Sequence, residues 1–411
     1  MTENNKTGTA AAKYTSLPVT WFLIALFVYL LLVGVGVIGD GFKAISGGAE
    51  GAAKIFAFAS SPIVGVILGT LATALVQSSS TVTSVIVGLV AGGVPVSIAV
   101  PMIMGANMGT TITNTIVSLG NLGERKMFNK SFQAATVHDF FNLYSIVIFL
   151  PIEVMFRPLE RLGGVMADWF VGGADASVQD LNFVGALTKP VVKTVVGVFD
   201  SLPTLIGGLL AIAIGISLVI GSVLYLGKML RSVMTGKAMN IVHKAVGGGP
   251  VKGIATGTVV TVLVQSSSTT TSLVVPLAGA GVLNTRQVFP FTMGANIGTC
   301  ITALLAATAV SGPTQVFALQ IALVHLLYNV FGVLAFLYIP WLRELPVRSA
   351  EWLGNKAEHN RSWAFGYIGA VFFMMPGLVF AGEVMFNGAD EEVTASEDVL
   401  EEVEEVDLGV E

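Results

Sequence analysis

The sequence predicts an all-α, polytopic membrane protein with two inverted repeats, each containing a re-entrant helical hairpin and a broken helix. Three observations support this fold class. The 411-residue chain is 54% hydrophobic and only 11% charged, roughly half the charged fraction of soluble domains. Several apolar segments approach the roughly 20 residues that a helix needs to cross a bilayer. Finally, two polar strings that interrupt apolar segments each occur twice, in the same order.

The distribution of charge and cysteine excludes several classes of protein. The formal net charge is -5, but eleven of the 26 acidic residues lie in residues 390–411. The rest of the chain has no sustained basic and aromatic surface, so we expect no nucleic-acid partner. Cys300 is the only cysteine and the four histidines are scattered. We therefore expect no disulfide, no cysteine or histidine metal site and no bound cofactor.

The first predicted span follows a polar N-terminus. Trp21–Ile38 is apolar without interruption, which suits a spanning helix. A cleaved signal peptide is less favoured, because the run begins late and Gly39–Gly41 is a poor cleavage site. Further apolar segments lie at Ile55–Val76, Val82–Met104, Ile112–Leu119, Phe132–Ile152, Leu202–Leu226, Ile254–Leu263, Leu273–Val282, Val288–Val310, Val316–Trp341 and Trp363–Phe386.

The most informative feature is an internal repeat. Residues 77–84 read Gln-Ser-Ser-Ser-Thr-Val-Thr-Ser, and residues 265–272 match them at seven of eight positions. Residues 104–113, which contain Gly-Ala-Asn-Met-Gly-Thr, return at 293–302 with eight of ten positions identical. Chance does not produce two such strings in the same order, so we infer two copies of one unit.

A third echo extends the two copies. His138 and Asn142 recur as His325 and Asn329, at nearly the same offset. The predicted organisation is a cytoplasmic N-terminus (1–18), a first span and loop (19–52), repeat 1 (53–155, hairpin at Gln77–Ser80), an extracytoplasmic loop (156–201), a span and basic cytoplasmic loop (202–250), repeat 2 (251–340, hairpin at Gln265–Ser268), a cytoplasmic loop and last span (341–388) and a disordered acidic tail (389–411).

The placement of lysine and arginine predicts the topology. If each hairpin returns to its own side, three spans separate the two (Gly93–Leu119, Phe132–Leu150 and Leu202–Leu226). Because three is an odd number of crossings, the second hairpin enters from the opposite face. The segments 120–130 and 227–252 are basic, which places both in the cytoplasm with the N-terminus. The segment 342–362 is also basic, so the last span carries the acidic tail to the outside.

The two polar strings have the chemistry of an ion site. Each Gln-Ser-Ser-Ser string offers a carboxamide and hydroxyls. If the helix breaks there, a half-helix beginning near Thr81 or Thr269 would turn free N–H groups toward an anion. Oxygen ligands suited to a small hard cation come from the second string: Asn107, Thr110, Thr111, Thr113, Asn296, Thr299 and Thr302.

Asp139 is a further candidate, because an acid inside a membrane segment is costly and usually functional. It lies within one helical turn of Asn142, beside His138. Structural roles compete with each of these assignments: serine and threonine can bond to their own helix, the glycines can serve packing, the histidines can be core residues, and Asp139 can pair with His138. Duplication at fixed spacing favours function for the two strings.

The paired strings and the segment Val137–Asn142 (Val-His-Asp-Phe-Phe-Asn) resemble the type II sodium–phosphate cotransporters over Ile55–Phe386. The chain looks like a bacterial member of that family. The resemblance implies sodium-driven import of inorganic phosphate by an alternating-access, elevator-like carrier that is not an enzyme, with sodium as co-substrate. Because Asp139 stands where electrogenic members carry an acid, it also implies an electrogenic, three-sodium type.

The resemblance also implies site residues. For phosphate they are Gln77, Ser78, Ser79, Ser80, Gln265, Ser266, Ser267 and Ser268; for sodium they are Asn107, Thr110, Glu124, Asp139, Asn142, Asn296, Thr299 and Thr302. The chain departs from animal members in four respects. Its loop 156–201 is short and lacks a cysteine pair, Glu124 and Asn121 stand in place of Asp and Gln, and Ala295 stands in place of Ser. We also expect no counterpart of the further C-terminal span of animal members.

The expected partners are inorganic phosphate, sodium ions and the lipid bilayer of a cell inner membrane, with a monomer and a dimer both left open. Other functions compete with this one. A carrier of another oxyanion such as sulfate would not be inhibited by arsenate, and an anion channel would conduct without sodium. A phosphate-sensing receptor would carry a soluble signalling domain, which is not visible. A serine hydrolase would need a paired histidine and a nucleophile motif, which is absent.

Overall fold

The computed structural model describes residues 17–56, 61–172, 183–234, 248–378 and 381–382, and every regular element in these ranges is a helix. The helices are α1 (Leu17–Ser46), α2 (Ala49–Ile55), α3 (Pro62–Val76), α4 (Ser79–Ala91), α5 (Val96–Gly109), α6 (Ile112–Leu119), α7 (Arg125–Phe156), α8 (Pro158–Gly172), α9 (Phe183–Gly197), α10 (Thr204–Met234), α11 (Pro250–Val264), α12 (Ser267–Ser272), α13 (Val274–Gly279), α14 (Thr285–Ala307), α15 (Gln315–Tyr338), α16 (Pro340–His359) and α17 (Ser362–Gly369), which continues as a π-helical turn (Ala370–Met374). The predicted acidic tail lies outside the described residues.

Six of the described helices are long and apolar enough to cross a membrane. They lie at Pro18–Ser46, Val96–Leu119, Arg125–Phe156, Thr204–Met229, Thr285–Ala307 and Gln315–Tyr338. A 30-residue helix such as α1 is about 45 Å long, more than the roughly 30 Å of a hydrocarbon core. The prediction of an all-α polytopic membrane protein is confirmed.

The two copies share one local architecture. In each, a helix (α3 or α11) ends at the Gln-Ser-Ser-Ser string, the chain turns back, and a later helix (α5 or α14) packs against the first. Glycines permit this packing, because a Cβ on Gly105 would overlap the carbonyl oxygen of Val66, and one on Gly294 would overlap that of Ile254. The duplicated glycines are therefore points of backbone contact between helices.

The helical hydrogen-bond pattern changes at different places in the two copies. In the first copy it changes at Thr110–Thr111, between α5 and α6, although both residues keep α-helical dihedral angles and Val96–Leu119 continues as one apolar helix. There the Thr111 hydroxyl donates to the carbonyl oxygen of Met108 at 2.9 Å. In the second copy Cys300 stands at the equivalent position and α14 is continuous; the change lies instead at Leu273, between α12 and α13. A thiol is a weaker hydrogen-bond donor than a hydroxyl and competes less with the helix.

The bases of the two hairpins lie at opposite ends of α7. Pro62 and Pro95, at the starts of α3 and α5, line a cavity together with Glu153 near the end of α7. At the other end of α7, Ser131 packs against Gly279, the last residue of α13. The two hairpins therefore enter the protein from opposite ends of this helix.

The segment 156–201, which the sequence analysis treated as a loop, is largely helical where the structure describes it. It contains α8 and α9, and residues 173–182 between them are outside the described ranges. Glu153 caps the first turn of α8, since its carboxylate accepts from the N–H groups of Leu159 (2.8 Å) and Glu160 (2.9 Å). This explains an otherwise costly buried acid.

A pair of helices outside the two copies, α1 and α10, packs through small residues. A Cβ on Gly34 would lie 2.9 Å from the carbonyl oxygen of Gly215, and one on Gly41 would lie 3.1 Å from that of Gly208. Such close approach of backbones is the usual basis of helix association in membranes. Helix α1 also packs closely against α4 of the first copy, since a Cβ on Gly92 would lie 2.9 Å from the carbonyl oxygen of Gly39.

Surface ion pairs join α16 to the start of α14. Arg286 donates to Glu344 (2.9 Å) and to Glu351 (2.8 Å). The hydrogen bond from Arg286 holds the pKa of the Glu344 carboxyl below its ordinary value. Because these side chains are exposed, the pairs orient α16 more than they stabilise it.

We expect Gly294→Ala to destabilise the protein by about 1–3 kcal/mol, because the added methyl group must displace the backbone of α11. The measurement is the thermal unfolding midpoint of the purified protein in detergent. Gly221→Ala is the matched control, since Gly221 also lies inside a long helix but nothing lies within 4 Å of its missing Cβ. Equal midpoints for Gly294→Ala and wild type would contradict the packing argument.

Candidate functional site

Each Gln-Ser-Ser-Ser string forms a tight turn with a left-handed glutamine. Gln77 has φ 55° and ψ 29°, and Gln265 has φ 55° and ψ 31°. The N–H of each glutamine donates to the carbonyl of a threonine four residues earlier, at 2.7 Å in both turns. This conformation is unfavourable for a residue with a side chain. Its recurrence at the equivalent residue of both copies points to a functional requirement.

The first serine of each string caps the helix that follows. Ser78 Oγ accepts from the N–H of Thr81 at 3.3 Å, and Ser266 Oγ accepts from that of Thr269 at 3.2 Å. The half-helices consequently begin at Ser79 and Ser267, two residues before the positions named from the sequence. The break that the sequence suggested is present in both copies.

The two turns meet at one cavity of about 190 Å³. Since a water molecule takes up about 30 Å³ of liquid, this space holds a small anion with a few waters. The lining residues are Gln77, Ser78, Thr113, Val223, Leu224, Gly227, Lys228, Gln265, Ser266, Ser268, Thr269 and Ser272. Strings that are 188 residues apart in the chain thus contribute to a single polar pocket.

Five of the eight residues predicted for phosphate line this cavity: Gln77, Ser78, Gln265, Ser266 and Ser268. The other three, Ser79, Ser80 and Ser267, are buried behind the turns. Their positions are in the first turns of the half-helices, where backbone N–H groups lack partners within the helix.

The sequence analysis missed the contribution of α10 to the cavity. Lys228 is the one charged residue among the described residues that line it, and its ammonium lies 5.0 Å from the centre of the Tyr225 ring. The sequence pattern assigned Lys228 only to a basic loop. Its position 24 residues into a long apolar helix, α10, was the available signal.

A buried network of amides and imidazoles joins the two copies. Asn107 of the first copy contacts two residues of the second: its Nδ2 donates to Asn329 Oδ1 at 2.8 Å, and its Oδ1 lies 3.1 Å from His325 Nε2. Because the Asn107 oxygen is an acceptor, His325 carries its proton on Nε2. His325 and Asn329, which repeat His138 and Asn142, thus form contacts between the two copies.

The equivalent hydrogen bonds also form in the other direction, from an asparagine of the second copy to a histidine and an asparagine of the first. Asn296 of the second copy donates through Nδ2 to Asn142 Oδ1 at 2.8 Å, and its Oδ1 lies 2.8 Å from His138 Nε2. Each Gly-Ala-Asn asparagine is therefore held by the histidine and the asparagine of the other copy. The amide oxygens of Asn107, Asn142, Asn296 and Asn329 each accept one N–H group and so bridge the two copies. Each of these oxygens has a second lone pair that could still accept a ligand.

Asp139 is fully buried and has one oxygen without a hydrogen-bond partner. Its Oδ2 accepts from Thr115 (3.0 Å) and Tyr367 (3.1 Å), whereas Oδ1 is a buried atom without a partner. Among the described residues no lysine, arginine or histidine lies within 4 Å of this carboxylate. His138 bonds to Asn296 instead. Neither Thr115 nor Tyr367 was predicted as a site residue.

The remaining predicted sodium residues fall into two groups. Thr302 Oγ1 donates to Gln265 Oε1 at 3.0 Å, which connects α14 to the second turn; Thr110 and Thr299 are buried and donate to carbonyls of their own helices. Glu124 is exposed just before α7, roughly 22 Å along that helix from Asp139. The structure does not bring Glu124 together with Asp139.

A family model described as Na+/Pi-cotransporter matches residues 30–167 and 218–345 of this chain. The chain belongs to the Na+/Pi-cotransporter family. It is 33% identical over 86% of its length to rat sodium-dependent phosphate transport protein 2A, and 30% identical over 87% to protein 2B of human and of the orangutan Pongo abelii. No solved structure matches the chain.

The predicted family membership is therefore confirmed. The chain spans 66% of the length of the rat relative and 64% of that of the human one, just under two thirds. The family matched is one of cotransporters, in agreement with the prediction that the chain is not an enzyme. Both matched segments include one Gln-Ser-Ser-Ser turn and one Gly-Ala-Asn string.

Proposed function

We propose that the chain is a sodium-coupled secondary active symporter that imports inorganic phosphate across a membrane. The observation that carries this proposal is the meeting of the two Gln-Ser-Ser-Ser turns at one polar cavity. Membership of the Na+/Pi-cotransporter family and the names of its relatives supply the substrates. Sodium acts as co-substrate rather than as a resident cofactor.

Phosphate is held in this proposal mainly by neutral donors. Ser78, Ser266, Ser268 and the two glutamines line the cavity. In this structure the Ser266 hydroxyl donates to Thr269 and the Ser268 hydroxyl to the carbonyl oxygen of Thr110, so binding of phosphate would redirect these donors. Neutral donors bind an anion less tightly than a cluster of arginines would. Release then follows once the sodium ions, which offset part of the negative charge, have left.

The deciding experiment is uptake of labelled phosphate into proteoliposomes that contain the purified full-length chain. With an inward sodium gradient we expect saturable accumulation, inhibited by arsenate and unaffected by sulfate. Equal uptake with choline in place of sodium would refute the symport proposal. Inhibition by sulfate but not by arsenate would reassign the carrier to another oxyanion.

Two regions are proposed to bind sodium. One is centred on the unpartnered Asp139 Oδ1, with Thr115 and Tyr367 orienting the carboxylate. The other lies where Thr302 meets Gln265, near Thr299. Oxygen-only sets of this kind suit a small hard cation. These regions would hold two of the three sodium ions that, with one dianionic phosphate, would move one net charge per cycle.

The two copies are proposed to be inverted repeats that move together. Hairpin bases at opposite ends of α7 support the inversion. The exchanged contacts of Asn107 and Asn296 support an approximate twofold axis between the copies. Because these bonds are buried and cross from one copy to the other, the copies form one body.

An elevator-like motion is proposed for that body against α1, α9 and α10. The pair α1 and α10 is closely packed through glycines, and the cavity lies between α10 and the two turns. Alternating access needs the substrate cavity at such a boundary. We further propose that the N-terminus and the basic end of α10 face the cytoplasm of a bacterial inner membrane.

A further inference from the structure

One positively charged side chain, that of Lys228, lies at the mouth of the cavity. Lys228 belongs to α10, outside both copies, and every other described residue that lines the cavity is neutral. No carboxylate among the described residues lies within 4 Å of its ammonium group. The side chain is exposed, and its charge is therefore available to a ligand that enters the cavity.

The location of Lys228 favours one face of the membrane. It lies in the C-terminal part of α10, next to Tyr225. The Tyr225 ring stacks on Phe27, in the N-terminal half of α1, at a centroid separation of 5.3 Å. The cavity mouth is thus on the side where α1 begins, which the distribution of basic residues places in the cytoplasm. The cation faces the compartment into which the carrier releases phosphate.

A lysine at this point suits a phosphate ion in transit. An ammonium group on a flexible stem acts as a point charge that attracts a phosphate dianion without the rigid fork of an arginine. The ring of Tyr225 holds the charge close to the mouth without neutralising it, as a carboxylate would. Because α10 is not part of either repeat, Lys228 is not tied to the movement of the turns.

We infer that Lys228 is a docking group for dianionic inorganic phosphate at the cytoplasmic mouth of the cavity, distinct from the Gln-Ser-Ser-Ser turns. This inference rests on the proposed phosphate symport. On leaving the turns, phosphate pairs with the Lys228 ammonium before it reaches the cytoplasm. Phosphate already in the cytoplasm binds to the same Lys228 ammonium and slows release of the transported phosphate. Internal phosphate therefore inhibits uptake, and this inhibition depends on Lys228.

The test uses right-side-out membrane vesicles from cells that express the full chain, loaded with increasing inorganic phosphate. For Lys228→Gln we expect the internal phosphate concentration that halves sodium-driven uptake to rise about three- to tenfold. The external concentration that half-saturates uptake should change less. Lys228→Arg should remain close to wild type, because it keeps the charge.

Lys252→Gln is the matched control. Lys252 is exposed and belongs to the same basic segment, but it does not line the cavity. An equal shift in Lys252→Gln would show a general effect of surface potential and overturn the inference. Unchanged internal inhibition in Lys228→Gln would also overturn it, as would a shift confined to external half-saturation.

The phosphate of a lipid headgroup could bind Lys228 in the same way as free inorganic phosphate. A second experiment distinguishes the two ligands. In proteoliposomes, a lysine that held lipid phosphate would make uptake by wild type, but not by Lys228→Gln, depend on anionic lipid. The inference would be overturned if uptake depended on anionic lipid in this way while inhibition by internal phosphate was the same in wild type and Lys228→Gln. Sodium-driven uptake by wild-type vesicles is measured before any variant is compared. Its absence would refute the proposed function itself rather than the role of Lys228.

Discussion

Phosphate uptake by Asp139→Gly is expected to lose its response to membrane potential. Asp139 is fully buried, and its Oδ1 has no hydrogen-bond partner among the described residues. A buried carboxylate without a cation is costly, so a sodium ion is the natural partner in the loaded carrier. Removing the acid removes that ion, and two sodium ions with one dianion carry no net charge.

The expected effect is large. One elementary charge moving through 100 mV is worth about 2.3 kcal/mol, which corresponds to roughly a 50-fold change in the phosphate ratio at equilibrium. Proteoliposomes with a potassium diffusion potential set by valinomycin measure it directly. Wild type should accumulate more phosphate as the interior becomes negative, and Asp139→Gly should accumulate the same amount at every potential.

Glu153→Gln is the matched control for this experiment. Glu153 is the other buried acid of α7, but both of its oxygens accept N–H groups at the start of α8. Its replacement should therefore leave the potential dependence as in wild type. Potential-dependent accumulation in Asp139→Gly would remove Asp139 from the coupling role and leave sodium-driven symport standing.

Asn296→Ala is expected to destabilise the protein by about 2–6 kcal/mol. The substitution leaves His138 Nε2 and Asn142 Oδ1 buried without their partner, at about 1–3 kcal/mol for each group. Asn107→Ala should cost a similar amount, because it removes the equivalent bonds to His325 and Asn329. The thermal unfolding midpoint in detergent measures both.

The control variant is Asn355→Ala, which removes an exposed amide that accepts from Asn129 at 3.1 Å. Water replaces that bond, so we expect little change. A double-mutant cycle adds a sharper test: His138→Ala should cost less in the Asn296→Ala background than in wild type. Strictly additive effects would show that the contact between the copies has little energetic weight.

The sequence alone predicted a helix break at each Gln-Ser-Ser-Ser string, because serine and threonine hydroxyls compete with helical hydrogen bonding at any location in the chain. The left-handed glutamines, the serine caps and the exact starts of the half-helices came from the structure. The duplication of the strings favoured a functional role, and the structure brings both strings to the lining of one cavity. The chemistry of a short string and its repetition can both be identified in the sequence without knowing how the helices pack.

The hydrogen-bond partners of the buried polar residues could not be predicted from the sequence. Asn107, Asn142 and Asn296 have the oxygen atoms of cation ligands, but in the structure they bond to residues at least 35 positions away. Tyr367 reaches Asp139 across 228 positions. Neither periodicity nor composition indicates which of many buried polar groups will meet, because that depends on how helices pack.

The sequence by itself determined that this chain is a helical membrane protein with a duplicated polar unit, since apolar length and repeated strings are properties of the chain. The tertiary structure decided which end of α7 each hairpin enters, that Lys228 joins the cavity, and that Glu124 lies far from Asp139. The physical reason is that a hydrogen bond or an ion contact requires atoms within about 3–4 Å. Only the packing of distant helices brings such atoms to that distance.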